Sequence, residues 1–493
     1  MKRLISVIGI ICLSIVTFLN ILYTAYLDND EHIEIFNNSI FYVLGIILLG
    51  FFIIFITNFI DKKLSGKDNE IKRKRIFKVA IIIYTVINIL WLLIVNPLVV
   101  GDQTHVCNIA QWIYNDNLED YLPNLTYAEI PLSDYMHLYK QQISLSFIYS
   151  IFFRAIKFDI MESLRILNLI GNIAIIFALY KISNQLSKKY QTNKTRLMFF
   201  ILTFASVIML STFIYGDIPS IALGLFSVYY MMKYIENKEI KFAIYSSICM
   251  MFAYMMRMNI LIFIIATVLY LIFNFFKNIR ANAFKENLMS IAIIIMYIVI
   301  SIFPAVLVQN YYINKYNLDK EKNYPITSYF LMAMSESHRG YGWYDEKIGE
   351  YALKNPEKAS EEYTDRIKDR LGYFLENKGE ALDFYKKKIT SMWAENTYSA
   401  VTNNIVKEND PIENVTGVLT FYQKTLLIVM CICAITFLIQ NRKNLTYEII
   451  FLLMIFIGGF LFHILWEAKS RYILPYIIIL IPLASLKLKG KKI

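Results

Sequence analysis

The chain has 493 residues, 57% of them apolar and 18% charged, and its mean hydropathy is +0.46. These values exclude a soluble globular protein, because apolar runs of about 20 residues, long enough to cross a bilayer, recur along the whole chain. The net charge of +11 does not point to nucleic acid: the basic residues are spread among short loops between apolar runs, where they report membrane orientation.

The first run, Leu4 to Leu27, follows Lys2 and Arg3. It is longer than a signal-peptide core of about 7 to 15 residues and lacks a small-residue cleavage site, so it reads as a retained helix. Further spans are predicted at 39–60, 77–100, 163–182, 196–215, 218–235, 242–257, 259–276, 287–309, 419–439, 447–465 and 471–486, twelve crossings with the first at 4–26. The run Gln141 to Ile156 would reach only roughly 24 Å against a hydrocarbon core of about 30 Å. Loop charge decides its place. If it does not cross, Lys62, Lys63, Lys67, Lys72 to Arg75, Lys188, Lys189, Lys194, Arg196, Lys238, Lys241, Lys277, Arg280, Lys285, Arg442, Lys443 and the tail lysines all fall on the cytoplasmic side. The acidic Asp28 to Glu34, the stretch around Asp102, the turn at Asp217 and the segment Glu467 to Arg471 then face outward. A crossing there would put five basic loops outside, so 141–156 is expected as an outer juxtamembrane helix.

Between the ninth and tenth spans, Asn310 to Val418 holds 15 Lys and Arg against 18 Asp and Glu and is long enough to translocate whatever its charge. Helical spacing over Glu357–Glu376 and Glu380–Trp393 predicts two amphipathic helices on an outer ledge. Of five cysteines four lie in apolar runs, leaving only Cys107 in a loop, so neither a disulfide framework nor a zinc site is expected. No heptad pattern or repeat is present, and nothing in the sequence assigns an oligomeric state.

Four outward clusters follow. The first is Asp102, Gln103 and His105, with Glu129, Asp134, His137, Tyr139, Lys140 and Gln141 further along the same loop. The second is Tyr215, Gly216 and Asp217; the third, Arg257 and Asn259; the fourth, Trp466, Glu467, Lys469, Arg471 and Tyr472. Ionisable groups beside hydrocarbon are costly and persist mainly where they act. Each has a plainer explanation: Asp102 and Asp217 as helix starts, Arg257 as a hairpin marker, Lys469 and Arg471 snorkelling to pair with Glu467. His137 and His338 lack the spacing of a metal-binding pair.

No Gly-rich phosphate loop or GxSxG element appears, and soluble activated sugars are cytoplasmic. An enzyme on the outer face therefore needs a donor delivered in lipid-linked form. Cations would hold its leaving phosphate and a carboxylate would take the acceptor proton. The same charges would also serve a lipid or polysaccharide flippase, although a transporter is expected to place charges near the midplane. A non-catalytic assembly protein would tolerate joint exchange of Asp102 and Asp217.

Gly101-Asp102-Gln103 after an early span, Tyr215-Gly216-Asp217 in the next outer loop and Glu467-x-Lys469-x-Arg471-Tyr472-x-x-Pro475 opening the last span together resemble the GT-C superfamily of polyprenyl-phosphate-sugar glycosyltransferases. That group includes protein O-mannosyltransferases and the lipid A aminoarabinose transferase. The outer segment, with Gly340 to Glu346 and Lys388 to Trp393, is similar to that of membrane glycosyltransferases of low-GC Gram-positive bacteria. The resemblance implies an all-α polytopic bundle of about 12 transmembrane helices. Its parts would be two accessory helices (1–60), a GT-C-like core (61–309) with a catalytic first outer loop at 101–162, an extracellular helical segment (310–418), and C-terminal helices with a basic cytoplasmic tail (419–493). It further implies an inverting transfer, of a hexose or a pentose, from undecaprenyl phosphate to a cell-envelope glycan, teichoic acid or glycolipid at the plasma membrane, with membrane lipid as a partner. Asp102 would activate the acceptor with support from Asp217. Lys469, Arg471 and Arg257 would hold the donor phosphate. Gln103, His105, His137, Tyr139, Lys140, Gln141, Asn259, Glu467 and Tyr472 would line the pocket. The family allows a divalent metal, but Gln103 stands where many members carry a second acid, which counts against a two-carboxylate metal site.

Overall fold

A computed structural model describes residues 2–64, 69–97, 99, 101–116, 132–156, 160–279, 284–405 and 411–488. Helices dominate. They are α1 (Lys2–Leu22), α2 (Ile40–Lys63), α3 (Glu70–Ile94), α4 (Asp102–Asn115), α5 (Leu132–Leu138), α6 (Gln142–Ala155), α7 (Ile160–Ser187), α8 (Lys194–Leu202), α9 (Ala205–Met209), α10 (Asp217–Asn237), α11 (Ile240–Met256), α12 (Leu261–Ile279) and α13 (Phe284–Lys315). After these come α14 (Ile326–Met332), α15 (Glu346–Lys354), α16 (Pro356–Glu376), α17 (Lys378–Trp393), α18 (Thr416–Asn441), α19 (Tyr447–Leu465), α20 (Leu474–Ile478) and α21 (Ile481–Ala484). Two small antiparallel pairs interrupt them, β1 (Tyr23–Leu27) with β2 (Ile33–Asn37), and β3 (Glu336–Ser337) with β4 (Gly340–Tyr341).

Among the described residues nine helices are long and apolar enough to span a membrane, ten if the bent pair α8 and α9 counts as one. The twelve expected crossings exceed this number for identifiable reasons. The fifth breaks between Leu202 and Ala205 with a bend of 42°. The seventh, α11, is a 17-residue helix. The last is a chain of short turns and helices, Ser470–Ile473, α20 and α21, because Pro475 and Pro482 each lack the N–H that a continuous helix needs.

The packing separates two ends. At one, Lys2 Nζ donates to the Leu445 carbonyl at 2.8 Å, Lys189 pairs with Glu448 at 2.9 Å and Lys487 with Asp61 at 2.8 Å. These are the loops whose lysines read as cytoplasmic. At the other end lie the first residues of α4 and α10, the break between α11 and α12, the end of α19, the β1–β2 pair and the α14–α17 segment. The first helix is part of the bundle, since α1 packs on α18 and α19 and buries Cys12, Leu13 and Val16. Helix α6 is likewise internal: Ser146 Oγ donates to Val106 O at 3.0 Å and Gln309 Nε2 to Ser144 Oγ at 3.0 Å, wedging it between α4 and α13. With little hydrophobic drive between helices in lipid, such bonds and close approaches hold the bundle together.

Candidate active site

Asp102 and Asp217 are built into the fold in the same way. Gly101 has φ +61° and Gly216 φ +79°, a region that glycine enters freely, and each is followed by an aspartate at the first position of a helix. A Cβ on Gly216 would stand 2.6 Å from the Met256 carbonyl oxygen. The turn thus brings Asp217 up against the α11–α12 break that carries Arg257. Helix α7 braces both turns from behind. Arg165 Nη2 donates to Pro97 O at 3.3 Å on the approach to Asp102, and one turn later Asn168 Nδ2 donates to Ser211 O at 3.0 Å and Phe213 O at 2.9 Å.

The side chains converge from there. Asp102 Oδ1 accepts the Tyr135 hydroxyl at 3.1 Å and its Oδ2 accepts the Tyr215 hydroxyl at 3.0 Å. Tyr215 in turn accepts from Gln142 Nε2 at 2.7 Å. Gln103 Oε1 accepts the Ile214 N–H at 2.7 Å, fastening the Asp217 turn to α4. The Arg257 guanidinium lies 4.3 Å above the Tyr215 ring, and its Nε is 3.2 Å from Asp217 Oδ1. The same Oδ1 is 3.6 Å from Arg471 Nε, while Arg471 stacks 4.0 Å over Phe213. Four stretches spread over more than 350 residues therefore meet in one unit: Asp102, Tyr215, Arg257, Asp217, Arg471. Both arginines present Nε to the carboxylate, and among the described residues no hydrogen bond reaches their Nη atoms. Two buried cations share one carboxylate at ion-pair distance, and bidentate Nη faces match a phosphate.

The remaining candidates lie as follows. Tyr472 sits beside the pair, with the Arg257 guanidinium 5.7 Å over its ring, and Asn259 O accepts the Tyr476 hydroxyl at 3.1 Å. His105 stacks on Tyr135 at 4.3 Å; burial pushes its imidazole below the usual value although Asp102 pulls the other way. Tyr139 stacks between Tyr135 and Tyr324. Other calls move. Lys469 does not join the arginines: its Nζ is 2.7 Å from Glu31, at the tip between β1 and β2, and Arg339 pairs with the same carboxylate. Burial alone would raise Glu31, but Lys469, Arg339 and Arg471 outweigh it and hold the group at about 2. The glutamine that reaches the site is Gln142 rather than Gln141, because Gln141 precedes α6 and Gln142 opens it. Lys140 is turned to the Lys320 carbonyl at 2.8 Å, and His137 Nδ1 accepts the Asp319 N–H at 2.8 Å, so both tie the first loop to the segment that follows α13. Glu129 and the side chain of Asp134 lie outside the described residues.

Residues given no site role from the sequence support the arginine arm. Lys388, fully buried, donates to the carbonyls of Ala333 (2.9 Å), Ile464 (2.9 Å) and Trp466 (2.8 Å), capping the end of α19 where the arm begins. Ser399 Oγ meets Ser470 Oγ at 2.9 Å, and Asn404 Oδ1 accepts the Thr212 hydroxyl at 2.6 Å. The fully buried stretch 391–400 and Asn404 thus brace the Arg471 loop on one side and the Asp217 turn on the other. Their only sequence signal was an unusual density of small and amide side chains after Trp393.

A divalent metal does not fit these residues. Both Asp102 oxygens accept tyrosine hydroxyls, Gln103 is spent on a backbone N–H, and Asp217 faces two arginines. Among the described residues no group of three or more His, Cys, Asp or Glu is placed to hold one.

Residues 142–304 match the family model of dolichyl-phosphate-mannose-protein mannosyltransferases. The matched stretch contains Gln142, Tyr215, Asp217 and Arg257. The chain also resembles the apo crystal structure of the Archaeoglobus fulgidus oligosaccharyltransferase, at 14% identity and a TM-score of 0.44. That likeness covers 85% of this chain and 51% of the oligosaccharyltransferase, so the chain spans about half the length of that protein. Among curated proteins, none matches.

Proposed function

We propose that the chain is a GT-C glycosyltransferase using a lipid-linked sugar donor, and that it moves a sugar from undecaprenyl phosphate to a cell-envelope glycan, teichoic acid or glycolipid. The reaction takes place on the outer face of the plasma membrane. The observation that carries this reading is the arginine pair held at Nε by Asp217, with Nη atoms left for an anion and Asp102 one tyrosine away.

In the reaction the acceptor hydroxyl oxygen attacks C1 of the sugar from the face opposite the phosphate. The C1–O bond breaks, its electron pair stays on the phosphate, and the configuration at C1 inverts. Arg257 and Arg471 spread that charge over Nη donors that are in place before the bond breaks, so no reorganisation is needed. Asp102, at the rim and oriented by Tyr135 and Tyr215, accepts the proton of the attacking hydroxyl. Tyr472 stands against the Arg257 guanidinium, and His105 and Tyr139 pack on the Tyr135 ring that orients Asp102.

The test is to compare envelope glycans, and the pool of carrier-linked sugars, between cells with and without the protein. The expected result is one glycan substituent lost and one undecaprenyl-phosphate sugar accumulated, which names the donor. Identical glycans and carrier pools would refute the reading.

A further inference from the structure

Of the carboxyls that take no part in the steps above, Glu467 is 5% exposed, in the arginine arm itself, and Glu395 is 1% exposed, in the stretch that braces the arm. Among the described residues the hydrogen bonds of Glu395 all go to one turn. Its Oε2 accepts the Ser399 N–H at 2.9 Å, and its Oε1 accepts the Thr397 N–H at 2.9 Å together with the Thr397 hydroxyl. The turn is one that ordinary residues avoid. Tyr398 and Ser399 both have φ +57°, in the left-handed region that residues other than glycine seldom enter, and two in succession persist only where the surroundings over-determine them. Converging N–H groups of such a turn make a concavity for an anion, and Glu395 supplies that anion from within the chain. Further support comes from the Tyr398 ring, stacked on Phe204 at 5.6 Å, and from Asn403 Nδ2, which donates to the Ser399 carbonyl at 2.7 Å.

From this turn two connections reach Arg471. On one side Ser399 Oγ meets Ser470 Oγ at 2.9 Å, and Ser470 is the residue before Arg471 in the short turn Ser470–Ile473. On the other side Ala400, the residue after Ser399, accepts Asn404 Nδ2 on its carbonyl at 2.7 Å. The same amide donates to Met209 O at 3.0 Å, and its oxygen accepts the Thr212 hydroxyl at 2.6 Å. Thr212 precedes Phe213, the ring over which the Arg471 guanidinium lies at 4.0 Å. The backbone that carries Arg471 and the ring that supports it are thus both fastened to the turn that Glu395 closes. All of these groups are buried, so water does not compete for the bonds.

We propose that Glu395 is a positioning residue for the donor: by holding residues 397–399 in their left-handed turn it fixes Arg471, between Ser470 and Phe213, in the orientation that receives the lipid-linked phosphate. This rests on the donor reading above. Glu395 acts through the turn and through Arg471, not on the sugar or the acceptor. Glutamine in its place would keep the shape, but its NH₂ group would face one of the two backbone N–H groups and cannot accept from it.

Steady-state kinetics of purified protein in lipid nanodiscs test the proposal, with the carrier-linked sugar that accumulates in cells lacking the protein as donor. Glu395→Gln is expected to raise donor KM roughly tenfold and to leave acceptor KM unchanged, because a small misplacement of a positioned group is expensive. Glu395→Asp, which keeps the carboxylate, recovers part of the loss. A merely structural role would lower the amount of active enzyme, and so the rate, without moving donor KM. In the Arg471→Lys background Glu395→Gln should raise donor KM by no more than about twofold, since the two changes act on one contact. Ser470→Ala removes only the hydroxyl link and should raise donor KM about threefold, so it decides the matter even if Glu395→Gln does not fold. An unchanged donor KM in Glu395→Gln or in Ser470→Ala, or a full tenfold rise on top of Arg471→Lys, would each overturn the proposal alone. A wild type that transfers no sugar from the carrier would bring down the donor reading, and the proposal with it.

Discussion

Asp217→Asn removes the one carboxylate that, among the described residues, lies within ion-pair reach of both Arg257 and Arg471. The Asp217 and Arg257 side chains are 8% and 11% exposed and that of Arg471 is 6% exposed, so solvent cannot replace the lost charge. Breaking a buried pair from one side costs about 3 to 5 kcal/mol, chiefly because the partner is left uncompensated, and here two partners are left. The variant is therefore expected to unfold in detergent with stability lower by about that amount. The loss should be partly reversible by ligand. Polyprenyl phosphate without sugar then supplies the counter-charge that Asp217 gave the pair, and a tenfold tighter Kd would add about 1.4 kcal/mol to the stabilisation it gives at a fixed saturating concentration. Thermal unfolding of wild type and variant, with and without the lipid phosphate, reads both effects. A variant within about 1 kcal/mol of wild type, showing no larger ligand shift, would refute the claim that Asp217 neutralises the pair.

Three further outcomes are expected. Asp102→Asn keeps the tyrosine contacts but not the base, so transfer should fall by about 10² to 10⁴ while membrane insertion and polyprenyl phosphate binding persist; full activity would remove Asp102 from the mechanism. Tyr215→Phe deletes the bonds to Asp102 and from Gln142, and a bond to a charged group is worth about 1.5 to 3 kcal/mol, so kcat/KM should drop roughly 10- to 100-fold with little change in donor KM. Glu31, held at about 2 in the fold against an ordinary value of 4.5, contributes stability above pH 4.5 that is lost as pH falls toward 2. A thermal-shift series from pH 6 to pH 3 should show that loss in the wild type and a smaller one in Glu31→Gln; parallel curves would mean that the contacts with Lys469 and Arg339 are too weak to matter.

The bundle was legible because apolar length and loop charge are local quantities. Each expected span has a helical counterpart, and the run after Gln141 is a short helix of its own. The breaks were partly legible, since Pro475 and Pro482 announce them, whereas the bend between Leu202 and Ala205 has no proline behind it and depends on packing. In the site, glycine–aspartate pairs at the ends of apolar runs were visible because a left-handed glycine before a helix leaves that signature. Partners were not visible. Nothing local assigns Lys469 to Glu31, 438 residues away, or distinguishes Lys388 from Lys386 and Lys387 in the same run, although only Lys388 is fully buried. Gln141 and Gln142 differ only in helical phase, which the sequence defines no better than one or two residues at a helix start.

The most direct measurement is sugar transfer by purified protein in nanodiscs, using the undecaprenyl-phosphate sugar that accumulates in cells lacking it, compared with Arg471→Lys. Lysine keeps the charge but cannot offer two parallel N–H groups. Product and free undecaprenyl phosphate are expected in equal amounts from the wild type, with donor KM raised about tenfold or more in Arg471→Lys. Turnover with an unchanged donor KM in that variant, or no release of undecaprenyl phosphate from the wild type, would contradict it.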